Sequence, residues 1–258
     1  MGWFRSAEHL ALELAPTAWT VAGAERTRER GLRLKAVASF DPQSASLSEE
    51  IRHCRLRDRL PFDATLVMWP AATDPGVATL DSRSRVAVSL PKARVIRERI
   101  APFVRAGGRA KDVVLPHEAA GRLVRLAGWT SASVMILEPT SACLAIADGT
   151  EVVGAYLHWP ELPVAETDAA RLLARYQFAA RLVPHLRGWA ANGAGTAMAV
   201  CGRFPDLRAS MVPIVEELDR EVEVLDADWL GLSVREAGDP AEVAGSQLAW
   251  AVAGAGVR

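Results

Sequence analysis

The chain has 258 residues, half of them hydrophobic, with a formal net charge of -1 and a pI near 6.5. It is long enough for two domains or one two-lobed fold with substantial cores, and too apolar for disorder. Near-neutral charge excludes a global field that would draw it to nucleic acid or to an anionic membrane, so partners must be recognised locally. The three cysteines, Cys54, Cys143 and Cys201, are an odd and widely spaced set, which fits a reducing compartment better than a disulfide framework. No stretch approaches the ~18 to 20 apolar residues of a membrane span, and the N-terminus lacks the apolar core of a signal peptide. A cytoplasmic protein is expected.

In chain order, His9 to Leu14, Ala18 to Ala24 and Leu32 to Phe40 read as three strands of a meander, divided by Pro16-Thr17 and by a charged turn. Ser46 to Glu50 offers a capping-box start to a helix running to about Leu60, and Ala64 to Trp69 is an apolar strand closed by Pro70. Pro91 to Ala106 has apolar residues at helical spacing and stops at Gly107-Gly108. Val113 to Leu115 reads as a short strand and Pro116 to Leu126 as a helix.

The second half repeats the plan. Ser133 to Leu137, Ala142 to Ala147 and Glu151 to His158 form another meander, followed by a long helix from about Ala165 to Arg187 and a buried strand from Thr196 to Cys201. A helix from Asp206 to Arg220, a strand from Val222 to Leu225 and a last helix from about Pro240 to Ala253 complete it. The duplicated βββαβα order predicts a two-lobed α/β protein of the actin-like, RNase H-like type, with lobes over residues 1–130 and 131–258. The stretch from Ala71 to Leu90 fits neither plan and reads as a hairpin or an inserted subdomain, spanning about 71–106 at its widest.

Several phrases carry a family resemblance: Ala106-Gly107-Gly108 leading to Val113–Ala119, the central meander Val134 to Asp148, the turn Ala199 to Leu207 and the small-residue ending Leu248 to Val257. In these the chain resembles the PilM branch of the actin-like superfamily, related to FtsA and similar to the cytoplasmic domain of GspL. The resemblance implies a cytoplasmic scaffold of a type IV pilus or type II secretion platform. Its partner would be the cytoplasmic tail of a bitopic inner-membrane protein similar to PilN, through which it would sit at the membrane periphery. Self-association is left open.

The resemblance also implies a nucleotide cleft built from two glycine-rich hairpins, each led by an Asp, and a GG turn. Here the first hairpin reads Glu13-Leu-Ala-Pro-Thr17 and the second Glu138-Pro-Thr-Ser141. Neither has the glycine, and Pro139 supplies no N–H where a phosphate needs a donor. At Gly202-Arg203 the second glycine has become a cation, which would either pair with a phosphate or fill the pocket. Between His158 and Thr196 one long helix replaces a base-covering subdomain. Glu13, Thr17, Glu138, Thr140, Ser141, Gly202 and Arg203 are therefore expected to line a vestigial cleft, with no bound cofactor and ATP with magnesium as the alternative. No catalytic residue or metal ligand is assigned. The runner-up function is a weak ATPase or a small-molecule kinase of the same superfold.

The eight tryptophans equal in number the six Phe and two Tyr residues together, and several stand at element ends, where they either cap a core rim or anchor a peptide. Trp69, Arg83 and Arg85, at and beyond the Trp69-Pro70 corner, are the expected partner-binding residues. The five histidines are too scattered for a zinc site, which needs about four converging ligands, and the arginines of the first helix read as a solvated face, with an acidic-partner surface as the alternative.

Overall fold

The computed structural model describes residues 9–26, 32–70, 92–158, 167–191, 197–225 and 247–257. Its elements are β1 (His9–Leu14), β2 (Trp19–Arg26), β3 (Leu32–Phe40), α1 (Leu47–Arg57), β4 (Asp63–Met68), α2 (Ala93–Arg105), β5 (Arg109–Val114), α3 (Pro116–Leu126), β6 (Ser131–Glu138), β7 (Ser141–Asp148), β8 (Glu151–His158), α4 (Asp168–Ala191), β9 (Ala197–Cys201), α5 (Leu207–Leu218), β10 (Glu223–Val224) and α6 (Gln247–Val257).

The repeat read from the sequence is present as two five-stranded sheets of the same topology, ordered β3-β2-β1-β4-β5 and β8-β7-β6-β9-β10. In each, the meander pairs antiparallel while the fourth and fifth strands add in parallel to the first. Parallel neighbours need a crossover, which the intervening helices provide.

Side-chain parity then assigns the faces. On the outer face of the first sheet, Leu10, Leu12, Leu14, Trp19, Val21, Leu66 and Met68 pack with Ile51 of α1 and Ile100 and Phe103 of α2. On the outer face of the second, Met135, Leu137, Leu144 and Val200 pack with Phe178 and Leu182 of α4 and Ile214 of α5. The inner faces carry smaller residues, including Ala11, Ala22, Ala132, Val134 and Ala145, and share one core with α3 and α6.

That shared core contains an exchange of helices. Helix α3 follows the first sheet in the chain but packs on β6, β7 and β8, whereas α6, near the C-terminus, packs on β1, β2 and β3; the two helices also pack on each other. Glycines let α3 approach β8 closely: a Cβ on Gly121 of α3 would come within 2.4 Å of Val152, and one on Gly154 of β8 within 2.3 Å of His117. The two sheets fall either side of residue 130, but these helices do not stay with their own sheet.

Other departures from expectation are local. Strand β5 begins at Arg109, because the exposed residues 109–112 of this edge strand lack the apolar pattern that marks a buried one. Helix α2 lies inside the widest limits expected for an inserted subdomain, yet Ile100 and Phe103 are core residues of the first lobe, so it is a regular part of the repeat. The stretch from Ala71 to Leu90 lies outside the described residues. Among the described residues, no helix is long and apolar enough to cross a membrane.

Candidate functional site

Parity also places the site. Glu13 shares the inner face of β1 with Ala11, and Glu138 shares the inner face of β6 with Ala132, Val134 and Ile136. Both are at the carboxyl ends of the central strands, where open α/β sheets form their ligand crevices. Both are 0% exposed.

The group between them is Arg203. Strand β9 continues the inner-face series through Ala197, Ala199 and Cys201, and Gly202 then turns the chain at φ +119°. A Cβ there would lie 2.1 Å from the carbonyl oxygen of Leu137, so only glycine lets the turn sit against β6. The turn directs Arg203 into the space between the sheets. Its Nη1 donates to Glu138 Oε2 at 2.9 Å, and its Nη2 donates to Glu13 Oε2 at 3.2 Å and to Thr20 Oγ1 at 2.6 Å.

Further donors join the cluster, although Glu138 Oε1 is buried without a hydrogen-bond partner among the described residues. The indole Nε1–H of Trp69 reaches Glu13 Oε1 at 2.9 Å, and the hydroxyl of Thr17, on the first hairpin loop, donates to Glu138 Oε2 at 3.3 Å. Beside it, His117 Nδ1 and the Tyr156 hydroxyl are 2.8 Å apart, and Trp69 meets the Tyr156 ring edge-on with centroids 6.3 Å apart.

Two carboxylates face one guanidinium. Burial strips solvent from Glu138 and outweighs the attraction of Arg203; with repulsion from Glu13 this pushes its pKa up to about 7. Burial works against the Arg203 charge, but Glu13 and Glu138 more than offset it and hold the guanidinium above its ordinary value. Burial holds His117 below its ordinary value, with Glu118 opposing.

The expected cleft residues Glu13, Thr17, Glu138, Gly202 and Arg203 are thus brought together. Thr140 is half-buried in the two-residue turn with Pro139. Ser141 is buried with no hydrogen-bond partner for its hydroxyl among the described residues. Trp69 corrects the sequence reading: at 2% exposure, with its N–H bound to Glu13, it is an internal member of the cluster and presents no indole to a peptide. Arg83 and Arg85 lie outside the described residues. Thr20 was missed, although a hydroxyl in the apolar run of β2, cross-strand from Glu13, was its signal.

These residues do not fit a nucleotide with its metal. The space between the two hairpin carboxylates is filled by a guanidinium already paired to both, and the second hairpin turn contains a proline. Among the described residues, no three His, Cys, Asp or Glu side chains converge as metal ligands do.

No protein-family model matches the chain, and no curated protein matches it by sequence. Its fold does match solved structures. A chain of a PilM–PilN type IV pilus biogenesis complex is 14% identical with a TM-score of 0.70, covering 98% of this chain and 100% of that one. The ethanolamine utilization protein EutJ from Carboxydothermus hydrogenoformans is 12% identical with a TM-score of 0.55, covering 93% and 89%. The activator of 2-hydroxyisocaproyl-CoA dehydratase from Clostridium difficile, solved with bound ADPNP, is 9% identical with a TM-score of 0.52, covering 96% and 95%. The fold is actin-like, and the likeness in fold to the chain of the PilM–PilN complex covers nearly the whole chain.

Proposed function

We propose that this chain is a degenerate actin-like scaffold of a type IV pilus or secretion-like platform, gripping the cytoplasmic tail of an inner-membrane protein and performing no phosphoryl chemistry. The observation that carries the loss of chemistry is Arg203, paired to Glu13 and Glu138 between the lobes. Phosphoryl transfer needs a metal held near carboxylates and donors free to cradle phosphates, and here the carboxylates are spent on an internal cation. Support for the scaffold role is the full-length likeness to a chain of the PilM–PilN complex. The partner would hold the protein at the cytoplasmic face of the membrane.

Two titrations test this. Millimolar ATP with magnesium is expected to leave the melting temperature unchanged, whereas saturation at a hundred times Kd would add about 2.7 kcal/mol. Synthetic tail peptides of bitopic membrane proteins encoded beside this chain are expected to bind. A thermal shift with ATP that disappears in Glu138→Ala would favour the weak ATPase or kinase instead.

A further inference from the structure

The cluster joins parts of the chain that nothing local brings together. Arg203 belongs to the second lobe, as does Glu138, while Glu13, Thr17, Thr20 and Trp69 belong to the first. Among the described residues, three hydrogen bonds of the cluster cross between the lobes, Arg203 to Glu13, Arg203 to Thr20, and Thr17 to Glu138, beside the edge-on contact of Trp69 with Tyr156. The Arg203 side chain is 12% exposed against 0% for both carboxylates, so water screens these contacts little. Polar groups come to the cluster from several elements: β1 Glu13, β2 Thr20, the end of β4 Trp69 and β6 Glu138, with Cys143 of β7, Cys201 of β9, His117 of α3 and Tyr156 of β8 beside them. Among the described residues of these elements, the cluster contains no second cation.

Two lobes sharing a cleft hinge by default unless their interface is large or specifically tied. In this protein the inner faces already share an apolar core with α3 and α6, and at the carboxyl ends of the central strands a side chain adds a polar tie. A guanidinium suits the task because its fork can donate to two carboxylates at once, one from each sheet. The donors Thr17 and Trp69 further fix the carboxylates that it bridges.

We infer that Arg203 is a built-in clasp that, added to the shared core, closes the strand-end side of the cleft and limits hinging there, taking the linking place that a ligand in the cleft would have, so that the scaffold keeps one shape without a bound ligand. This rests on the reading of the cleft given above. Its consequence is that partner recognition is constitutive: the surface offered by the lobes does not wait for a small molecule to bring them together.

The experiment measures the distance between the lobes in the full chain. The three native cysteines are buried, so dyes are placed at Arg94→Cys on α2 and Val212→Cys on α5, both exposed positions, and single-molecule energy transfer is recorded with and without Arg203→Met. The protein with Arg203 intact is expected to show one narrow distance distribution that millimolar ATP with magnesium leaves unmoved. Arg203→Met is expected to broaden it and to raise hydrogen exchange at the carboxyl ends of β1 and β6, beside Glu13 and Glu138, by about tenfold or more. If Arg203→Met does not fold, Glu13→Gln, which removes one charge of the tie while keeping an acceptor for Trp69, supplies the same readout. A folded variant with an unchanged distribution and unchanged exchange overturns the clasp. ATP compressing the distribution of the protein with Arg203 intact overturns the reading of the cleft, and is distinguished because it requires no substitution.

Discussion

Arg203 Nη2 lies 3.2 Å from Glu13 Oε2 although 190 residues separate them in the chain. The pair ties the carboxyl end of the central strand of one sheet to the turn after β9 of the other. Buried ion pairs gain Coulomb energy only against a large desolvation cost, and their value depends on satisfying the remaining donors and acceptors. Thr17, Thr20 and Trp69 do much of that here.

Removing the cation alone is therefore expected to be severe. Arg203→Met leaves two carboxyl groups buried against each other and should cost about 3–5 kcal/mol in urea unfolding. Combining it with Glu13→Gln and Glu138→Gln should regain most of the loss, because no uncompensated charge remains. A triple variant as unstable as the single one would show that shape, not charge, is responsible.

The pH dependence follows from Glu138. Its folded pKa is raised to about 7 from an ordinary value of 4.5, so the folded state keeps a proton that the unfolded chain has released. Its contribution to stability is complete below about 4.5, declines as pH rises, and is gone above about 7. Urea unfolding at pH 5 and pH 8 should show the protein less stable at the higher value, and Glu138→Gln should remove this part of the difference. A larger decline in Glu138→Gln than in the parent chain would contradict the assignment.

Gly202→Ala is expected to disturb both fold and clasp. At φ +119° a side chain is strained, and its Cβ would meet the Leu137 carbonyl at 2.1 Å; backbone cannot give way as a flexible side chain can. A loss of about 2 kcal/mol or more is expected, read by thermal unfolding, together with faster exchange in the β6–β7 turn. A neutral outcome would mean that the turn has another accessible conformation.

Trp250 tests the helix exchange. It is 1% exposed on α6 in the core shared by the inner faces, and Trp250→Ala should cost about 3–5 kcal/mol. Because α6 packs on β1, β2 and β3, the first amides to lose protection should be those of the first sheet, although the substitution is near the other end of the chain. Loss confined to β9 and β10 would refute this packing.

Much of the architecture was legible from local pattern. Alternation in HLALEL and SASVMILE, the Asp148-Gly149 turn and the helical spacing of Val95 to Val104 are set by neighbours in the chain, and the repeated order of elements followed from them. The same pattern carried a less obvious signal: Glu13 is the single charged residue on the inner face of β1, and Glu138 holds the matching place on β6. Their residue types marked a cleft. The edge strand β5 was seen only at its buried end, because exposure removes the periodicity that sequence reading depends on.

What the sequence alone determined is the repeat, the two hairpins without their glycines and the cation at residue 203, since each is a property of a short stretch. Whether Arg203 would meet a phosphate or fill the pocket was left open, Trp69 was read as a surface anchor, and α3 and α6 were assigned to the lobes of their own halves. Tertiary structure placed Arg203 between Glu13 and Glu138, buried Trp69 against Glu13 and packed α3 and α6 on the sheets of the opposite halves. Side-chain parity says which face a residue takes, but which face meets which is fixed by packing between segments far apart in the chain, and the contacts joining Glu13 and Thr20 to Arg203 exist only once both sheets have closed around the helices between them.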